Sequence, residues 1–356
     1  MALRATDLWS VHGRQRAPFA GALLFFFYFG PMKKTVKVVL IILGVIVLGL
    51  VCVVVFIKTA LPNVGKPIDM KVQVTPGRVK RGEYLANHVA ACMDCHSQRD
   101  WSLYAGPLKK ETFGGGGERF GKEIGFPGTV YSSNITPAAL GDWTDGELFR
   151  AITTGENKHG KALFPLMPYP NYGKTNAEDI MCIIAYLRTI PAVKNEVPAH
   201  QLDFPLNIIV NTMPSKAAFE EKLDSNNIIG YGKYLVTMSG CTECHSKVDK
   251  GTKIPGTEFG GGRAFDLPNG NVVTSPNITF DKATGIGNWD RNIFIRKFKQ
   301  YMDSGYVPRV VGSAEFNTPM PWLMYAGMTE SDLAAIYAYL GTVKPISNQV
   351  KVFWRK

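Results

Sequence analysis

Cys92-Met93-Asp94-Cys95-His96 is the stretch that decides how this chain is read, and it returns as Cys241-Thr242-Glu243-Cys244-His245. Two cysteines three apart lie on neighbouring positions of one helical turn. The histidine that follows is carried beneath whatever the two thiols hold. Cys-x-x-Cys-His is the attachment pattern of c-type haem, in which the thiols form thioethers with the porphyrin and the imidazole ligates iron. One such motif in 356 residues is open to chance. Two, each inside a longer repeated pattern, are strong evidence.

Working outward, the chain reads as two copies of one plan. Copy one opens with Arg81-Gly82-Glu83-Tyr84-Leu85 and copy two with Tyr231-Gly232-Lys233-Tyr234-Leu235. Glycine-rich turns follow, Phe113-Gly114-Gly115-Gly116-Gly117 and Phe259-Gly260-Gly261-Gly262. Each copy then carries Asn-Ile-Thr (134–136 and 277–279) and Gly-x-Trp (141–143 and 287–289). Met167-Pro168-Tyr169 leads to Ala185-Tyr186-Leu187, and Met320-Pro321-Trp322 leads to Ala338-Tyr339-Leu340 at the same spacing. Ile180, Ile183, Ile184 and Leu187, like Leu333, Ile336, Tyr337 and Leu340, keep helical 3–4 spacing. Thr175-Asn176-Ala177-Glu178 and Thr329-Glu330-Ser331-Asp332 sit where N-caps with acidic first turns belong. The paired Gly and Tyr positions predict that opening and closing helices cross closely.

The stretch 38–57 holds no charge and matches the hydrocarbon core as a helix. No small-x-small cleavage site follows it, which favours an uncleaved signal anchor over 36–58. Lys33, Lys34 and Lys37 flank it more densely than Lys58, Lys66 and Lys71, so the N-terminus is expected inside. Met32-Lys33-Lys34 is itself a well-formed start for an export signal, and residues 1–31 read as a mis-called extension. Residues 59–79 form a linker, 80–190 the first domain, 191–228 an ordered, Pro-rich strap, 229–345 the second domain and 346–356 a basic tail.

The composition, 46% apolar with many Gly and Pro, suits compact helical units joined by loops. The formal charge of +11 would be offset in part by haem propionates. No Lys/Arg-dense helix or aromatic-basic platform marks nucleic-acid binding, so the basic surface is expected to face acidic partner proteins or lipid headgroups. Cys52 and Cys182 lie outside the motifs and read as buried free thiols.

Over residues 81–345 each copy resembles a class I cytochrome c domain, and the pair resembles the cytochrome c subunits of membrane-bound bacterial alcohol, aldehyde and gluconate dehydrogenases. Those subunits usually carry three haem domains, where this chain has two motifs. The resemblance implies a mainly α fold: an N-terminal transmembrane helix followed by two tandem class I cytochrome c domains. It implies two covalently attached haem c groups on the periplasmic side of the bacterial cytoplasmic membrane. Cys92, Cys95, Cys241 and Cys244 are then the attachment residues, and His96 and His245 the proximal iron ligands. No histidine follows His245, leaving Met302, Met320, Met324 and Met328 as distal candidates for the second iron; Met320 alone aligns with a methionine of copy one, Met167. His159 competes with Met167 but has no counterpart in copy two. Asn134, Trp143, Asn277 and Trp289 are candidates to hydrogen-bond propionates, with ordinary turn chemistry as the alternative.

His/Met ligation fills the iron's six positions and makes a one-electron relay with no open site. The expected partners are the membrane, a dehydrogenase or quinol-oxidising complex as donor, and an oxidase or soluble cytochrome as acceptor. The chain by itself is not expected to be an enzyme. A zinc protein would place its second Cys pair closer. A dihaem peroxidase or sulfur-compound oxidoreductase would lose or replace one distal methionine, and both copies keep theirs.

Overall fold

The structure is a computed structural model that describes residues 32–220 and 226–355; the expectation that residues 1–31 are an extension lies outside them. Contacts divide the chain into two units between Val53 and Val54, within the first helix. That helix, α1 (Lys34–Ala60), has 27 residues and no buried side chain. At about 1.5 Å per residue it reaches about 40 Å, long and apolar enough to cross a membrane. Cys52 lies on its surface; only Cys182 of the two spare thiols is buried.

The remainder is helix-rich. In its first half, α2 (Pro76–Tyr84) runs into a π turn over Leu85–Val89 and then α3 (Cys92–Cys95). α4 (Pro137–Leu140), α5 (Asp145–Thr154), α6 (Tyr169–Tyr172) and α7 (Ala177–Leu187) follow. A short α8 (Leu206–Ile209) lies in the strap. The second half has α9 (Ile228–Met238), α10 (Cys241–Cys244), α11 (Arg291–Lys299), α12 (Trp322–Tyr325) and α13 (Glu330–Leu340).

Opening and closing helices cross in both halves, α2 on α7 and α9 on α13. The crossing needs glycine: a Cβ on Gly82 would stand 1.8 Å from the Cys182 carbonyl oxygen, and one on Gly232 would stand 2.0 Å from that of Ala335. Tyr186 and Tyr339 fill the space beside the same glycines. The apolar faces of α7 and α13 are buried, with Ile180, Ile184 and Leu333 fully so. Asn176, one residue later than Thr175, caps α7 by accepting from the Glu178 N–H; Thr329 caps α13 through the Asp332 N–H.

Among the described residues three small antiparallel sheets join the helices, where the periodicity predicts only helices and loops. β1 (Arg119–Phe120), β2 (Gly128–Tyr131) and β3 (Gln201–Leu202) make one, and β4 (Val248–Asp249) with β5 (Thr252–Lys253) makes the second. β6 (Ala264–Asp266), β7 (Asn271–Thr274) and β8 (Phe353–Arg355) make the third. Strands of two to four residues are too short to show an alternating pattern. Through β3 the strap is paired to the first half. Through β8 the basic C-terminal stretch, read as a tail, is bound to the second.

The two halves share one continuous apolar core. Across their interface runs a reciprocal pair of hydrogen bonds. Tyr84 of α2 donates to Asp332 of α13 at 2.5 Å, and Tyr234 of α9 donates to Asp179 of α7 at 2.5 Å. Tyr84 and Tyr234 occupy equivalent places in the repeat, as do Asp179 and Asp332. The contact is therefore of the self-complementary kind found at two-fold axes. Arg81 adds a two-pronged ion pair to Asp179, with contacts of 3.0 and 2.8 Å.

Candidate functional site

Each Cys-x-x-Cys turn begins after one residue in the left-handed region, Ala91 at φ 49° and Gly240 at φ 64°. That residue breaks the opening helix and starts a new turn in another direction. Copy one is one residue longer between its glycine and its first cysteine, and the π turn over Leu85–Val89 absorbs the excess. Burial pushes the Cys92, Cys95 and Cys241 thiols up to about 12, so they stay protonated near neutral pH. Cys244 is the exposed member of its pair.

His96 and His245 are held alike. The His96 Nδ1 lies 2.7 Å from the Ser133 carbonyl oxygen, and the His245 Nδ1 lies 2.9 Å from that of Pro276. A carbonyl oxygen only accepts, so Nδ1 carries the proton and Nε2 presents its lone pair. Burial lowers the basicity of both imidazoles, which keeps that lone pair free. Ser133 and Pro276 each stand immediately before Asn-Ile-Thr. Their role belongs to the main chain, so side-chain identity carries no signal for it; only the shared position in the repeat could have pointed there.

The glycine-rich turns bring those carbonyls into place. Gly116 and Gly261 donate to the carbonyl oxygens of His96 and His245, both at 2.8 Å. A Cβ on Gly116 would come within 2.4 Å of the Ser133 backbone, and one on Gly261 within 2.5 Å of that of Pro276. Both have φ near +70°. The hydrogen bonds also correct the pairing of the turns. Ile135 donates to Gly114 and Ile278 to Phe259, so Phe259 matches Gly114 and adopts its positive φ, 63°.

Asn134 and Asn277 are buried, and their amides are engaged within the protein. Asn134 Oδ1 accepts from the Thr136 N–H and hydroxyl while its Nδ2 donates to the Val193 and Asn195 carbonyl oxygens. Asn277 accepts twice from Thr279 and donates to Ile346 and Thr284. Asn134 thus binds the segment after the first closing helix with both donor hydrogens, whereas Asn277 binds the segment after the second with one and Thr284 with the other, hydrogen bonds of the turn-chemistry kind named as the alternative to propionate contact. Trp143 and Trp289 are half-buried against the core, with the ammonium groups of Lys158 and Lys297 each 5.5 Å from a ring centroid. Their carbonyls are fixed differently, by the Arg188 guanidinium and by the Tyr337 hydroxyl.

Met167 and Met320 occupy identical turns. Tyr169 N–H donates to the Met167 carbonyl oxygen and Trp322 N–H to that of Met320, both at 2.7 Å. Between them, Pro168 (φ −77°, ψ 51°) and Pro321 (φ −78°, ψ 60°) make inverse γ-turns, a shape proline's fixed φ favours. Both methionines are half-buried against the core. Five residues on, Tyr172 and Tyr325 donate to the carbonyl oxygens of Ala90 and Ser239, each two residues before its first cysteine. These tyrosines tie the methionine turn to the cysteine turn of the same half. Sequence reasoning missed them, although their equal offset from methionine was readable. His159, the competing ligand, is exposed.

Each cysteine turn also borders the other half. His88, in the π turn, lies 2.9 Å from the Met324 carbonyl oxygen of α12. A Cβ on Gly240 would sit 3.7 Å from the Asn171 amide of α6.

A covalently attached haem fits these groups. Each half presents two thiols, an imidazole with its outer nitrogen free, and a thioether on a rigid turn. Tyr169, fully buried beside Met167, has a hydroxyl without a partner among the described residues, as a site for a polar group requires. Among the described residues no three His, Cys, Asp or Glu side chains converge on a metal-sized site.

Residues 229–344 match the family described as "Cytochrome c", so the second half contains a cytochrome c domain. The chain is 27% identical over 286 residues to the cytochrome c subunit of the alcohol dehydrogenase (quinone) of Gluconobacter oxydans, covering 75% of this chain and 55% of that one. It is 27% identical over 286 residues to the gluconate 2-dehydrogenase cytochrome c subunit of Pantoea cypripedii, covering 75% and 60%. A diheme cytochrome c-type protein of Cereibacter sphaeroides is 28% identical over 242 residues, 65% of this chain and 75% of that one. The chain thus spans little more than half the length of the dehydrogenase subunits it resembles. Those relatives are named as cytochrome subunits of dehydrogenases, whose part is electron transfer.

Proposed function

We propose that this chain is a dihaem c-type cytochrome that relays single electrons, with residues 80–190 and 229–345 as tandem class I cytochrome c domains. Cys92 and Cys95, and Cys241 and Cys244, hold the two porphyrins covalently. His96 and Met167 ligate the first iron, and His245 and Met320 the second. When bound, each haem supplies a one-electron Fe(III)/Fe(II) couple. The Ser133 and Pro276 carbonyls hold each imidazole in one tautomer and add electron density to its ligating nitrogen. The proline turns keep each thioether in place through the redox cycle, so little reorganisation accompanies transfer. The observation that carries this reading is the duplication of the whole constellation, imidazole anchor and methionine turn together, with hydrogen bonds that agree to within 0.2 Å.

α1 serves in this reading as an uncleaved anchor in the bacterial cytoplasmic membrane, with the haem domains on the periplasmic side, where c-type haem is attached. The names of the relatives support a dehydrogenase as electron donor, and an oxidase or soluble cytochrome completes this reading as acceptor. Intact-mass measurement should show two covalent haems, and oxidised-state spectra should show two low-spin irons. Met320→Leu should abolish thioether ligation at one haem, lower its potential and leave the other unchanged. A native high-spin haem with peroxide turnover would overturn the relay reading.

A further inference from the structure

The two halves match in their ligand turns but differ on one face. In the second half, α11 and the loop that follows, residues 291–319, carry five cations against two acids. The equivalent stretch of the first half, residues 145–166, carries three of each. The pairing differs as well. In the first half Asp145 binds Arg188, Arg150 binds Glu156, and Lys158 binds Asp142. In the second half Arg291, Arg296 and Lys297 are exposed and form no ion pair among the described residues.

Apolar exposure follows the same asymmetry. Met302, Val307 and Val310 are 58%, 79% and 73% exposed, whereas no large apolar side chain is exposed between residues 75 and 203. The cations and the apolar loop are joined at one point. Phe298, at the end of α11, packs on the Trp322 ring at 5.3 Å, and Tyr301, at the start of the loop, stacks on it at 5.1 Å. Trp322 is two residues from Met320. The first half builds the same turn without exposed valines and, among the described residues, with one exposed unpaired cation, Lys161, against three, so the fold does not require the excess.

We propose that α11 and the 300–311 loop form the docking surface for an acidic redox protein, which makes the second haem site the molecule's port to that partner. An apolar centre beside unpaired cations is the arrangement of a transient electron-transfer contact: the charges steer the encounter and the apolar residues exclude water at the point of transfer. A protein partner is favoured over a lipid surface because the patch is centred on the tryptophan beside the candidate ligand. This inference rests on the haem reading above.

The test uses the full haem-loaded chain in phosphatidylcholine vesicles, reduced and then mixed rapidly with one of three oxidants: ferricyanide, the cation tris(phenanthroline)cobalt(III), or an acidic blue-copper protein. Arg291→Glu/Arg296→Glu should slow oxidation by ferricyanide and by the copper protein about tenfold at low ionic strength and flatten the salt dependence, while speeding the cobalt reaction. Val307→Asp/Val310→Asp should slow the copper protein several-fold more than ferricyanide. Rates unchanged by both variants would overturn the proposal. So would a loss of wild-type reactivity on adding phosphatidylglycerol that the arginine variant escapes, since the patch would then face lipid. Failure of the haem reading would show separately, as a chain without covalent haem.

Discussion

Gly116 shows how much one missing Cβ does at the residue scale. Its φ of 68° lies where side chains are strained, and its Cα passes the backbone that presents the Ser133 carbonyl to His96. Gly116→Ala should cost on the order of 3 kcal/mol, from strain plus displacement of that carbonyl. The denaturant midpoint of the full chain measures the cost, and covalent haem content at the first motif should fall with it. Met167 and Met320 were legible as a pair because their spacing to the closing helix repeats. The carbonyls of Ser133 and Pro276 were not, because a main-chain acceptor leaves no mark in side-chain identity. Asn134 and Asn277 were conspicuous as repeated side chains, but the chain segments their amides hold were not readable.

At the scale of elements, the opening and closing helices are amphipathic and cross at glycine, and both properties are visible as patterns. The reciprocal tyrosines are not, since Tyr84 and Tyr234 look like core residues until their partners are known. Burial, then the Asp332 carboxylate, raises the Tyr84 hydroxyl above its usual value; burial, then Asp179, does the same for Tyr234. The folded state therefore keeps protons that the unfolded chain releases near pH 10. Stability from these bonds is full below about pH 10 and is lost as pH rises through the folded values. Thermal melts should drop steeply above about pH 10, and Tyr84→Phe/Tyr234→Phe should flatten that drop. At neutral pH Tyr84→Phe should cost about 2 kcal/mol, because it strips the Asp332 carboxylate of its side-chain donor, and Tyr234→Phe should cost less, because Arg81 still holds Asp179.

For the whole molecule, the notable element is the stretch after the first motif. Residues 99–108 reach the second half, where the Ala105 N–H donates to Asn317 Oδ1 at 2.8 Å and Asn317 Nδ2 donates to the Trp101 and Leu103 carbonyl oxygens. Tyr104 stacks on Tyr301 there, 6.3 Å between ring centroids. Asn317 is 2% exposed, so Asn317→Ala would leave the buried Ala105 N–H unpaired. We expect a loss of about 2–3 kcal/mol. Calorimetry should show one unfolding transition in the parent chain, because the core is continuous, and two when Asn317→Ala is combined with Tyr84→Phe/Tyr234→Phe. Persistence of a single transition in the triple variant would mean that the apolar core alone couples the halves.

The sequence by itself determined what recurs at fixed spacing: two Cys-x-x-Cys-His turns, two methionine turns, paired helices that cross at glycine, and one apolar stretch long enough to span a membrane. Each is a local property, set by the period of a helix, the reach of a turn or the ligand chemistry of a side chain. Only the tertiary structure decided which carbonyl holds each histidine, which carbonyls Asn134 and Asn277 bind, and that the halves join through exchanged tyrosine–aspartate bonds. These depend on residues tens to hundreds of positions apart. Such contacts form only when a packed core brings distant backbone together, and neither periodicity nor spacing records them.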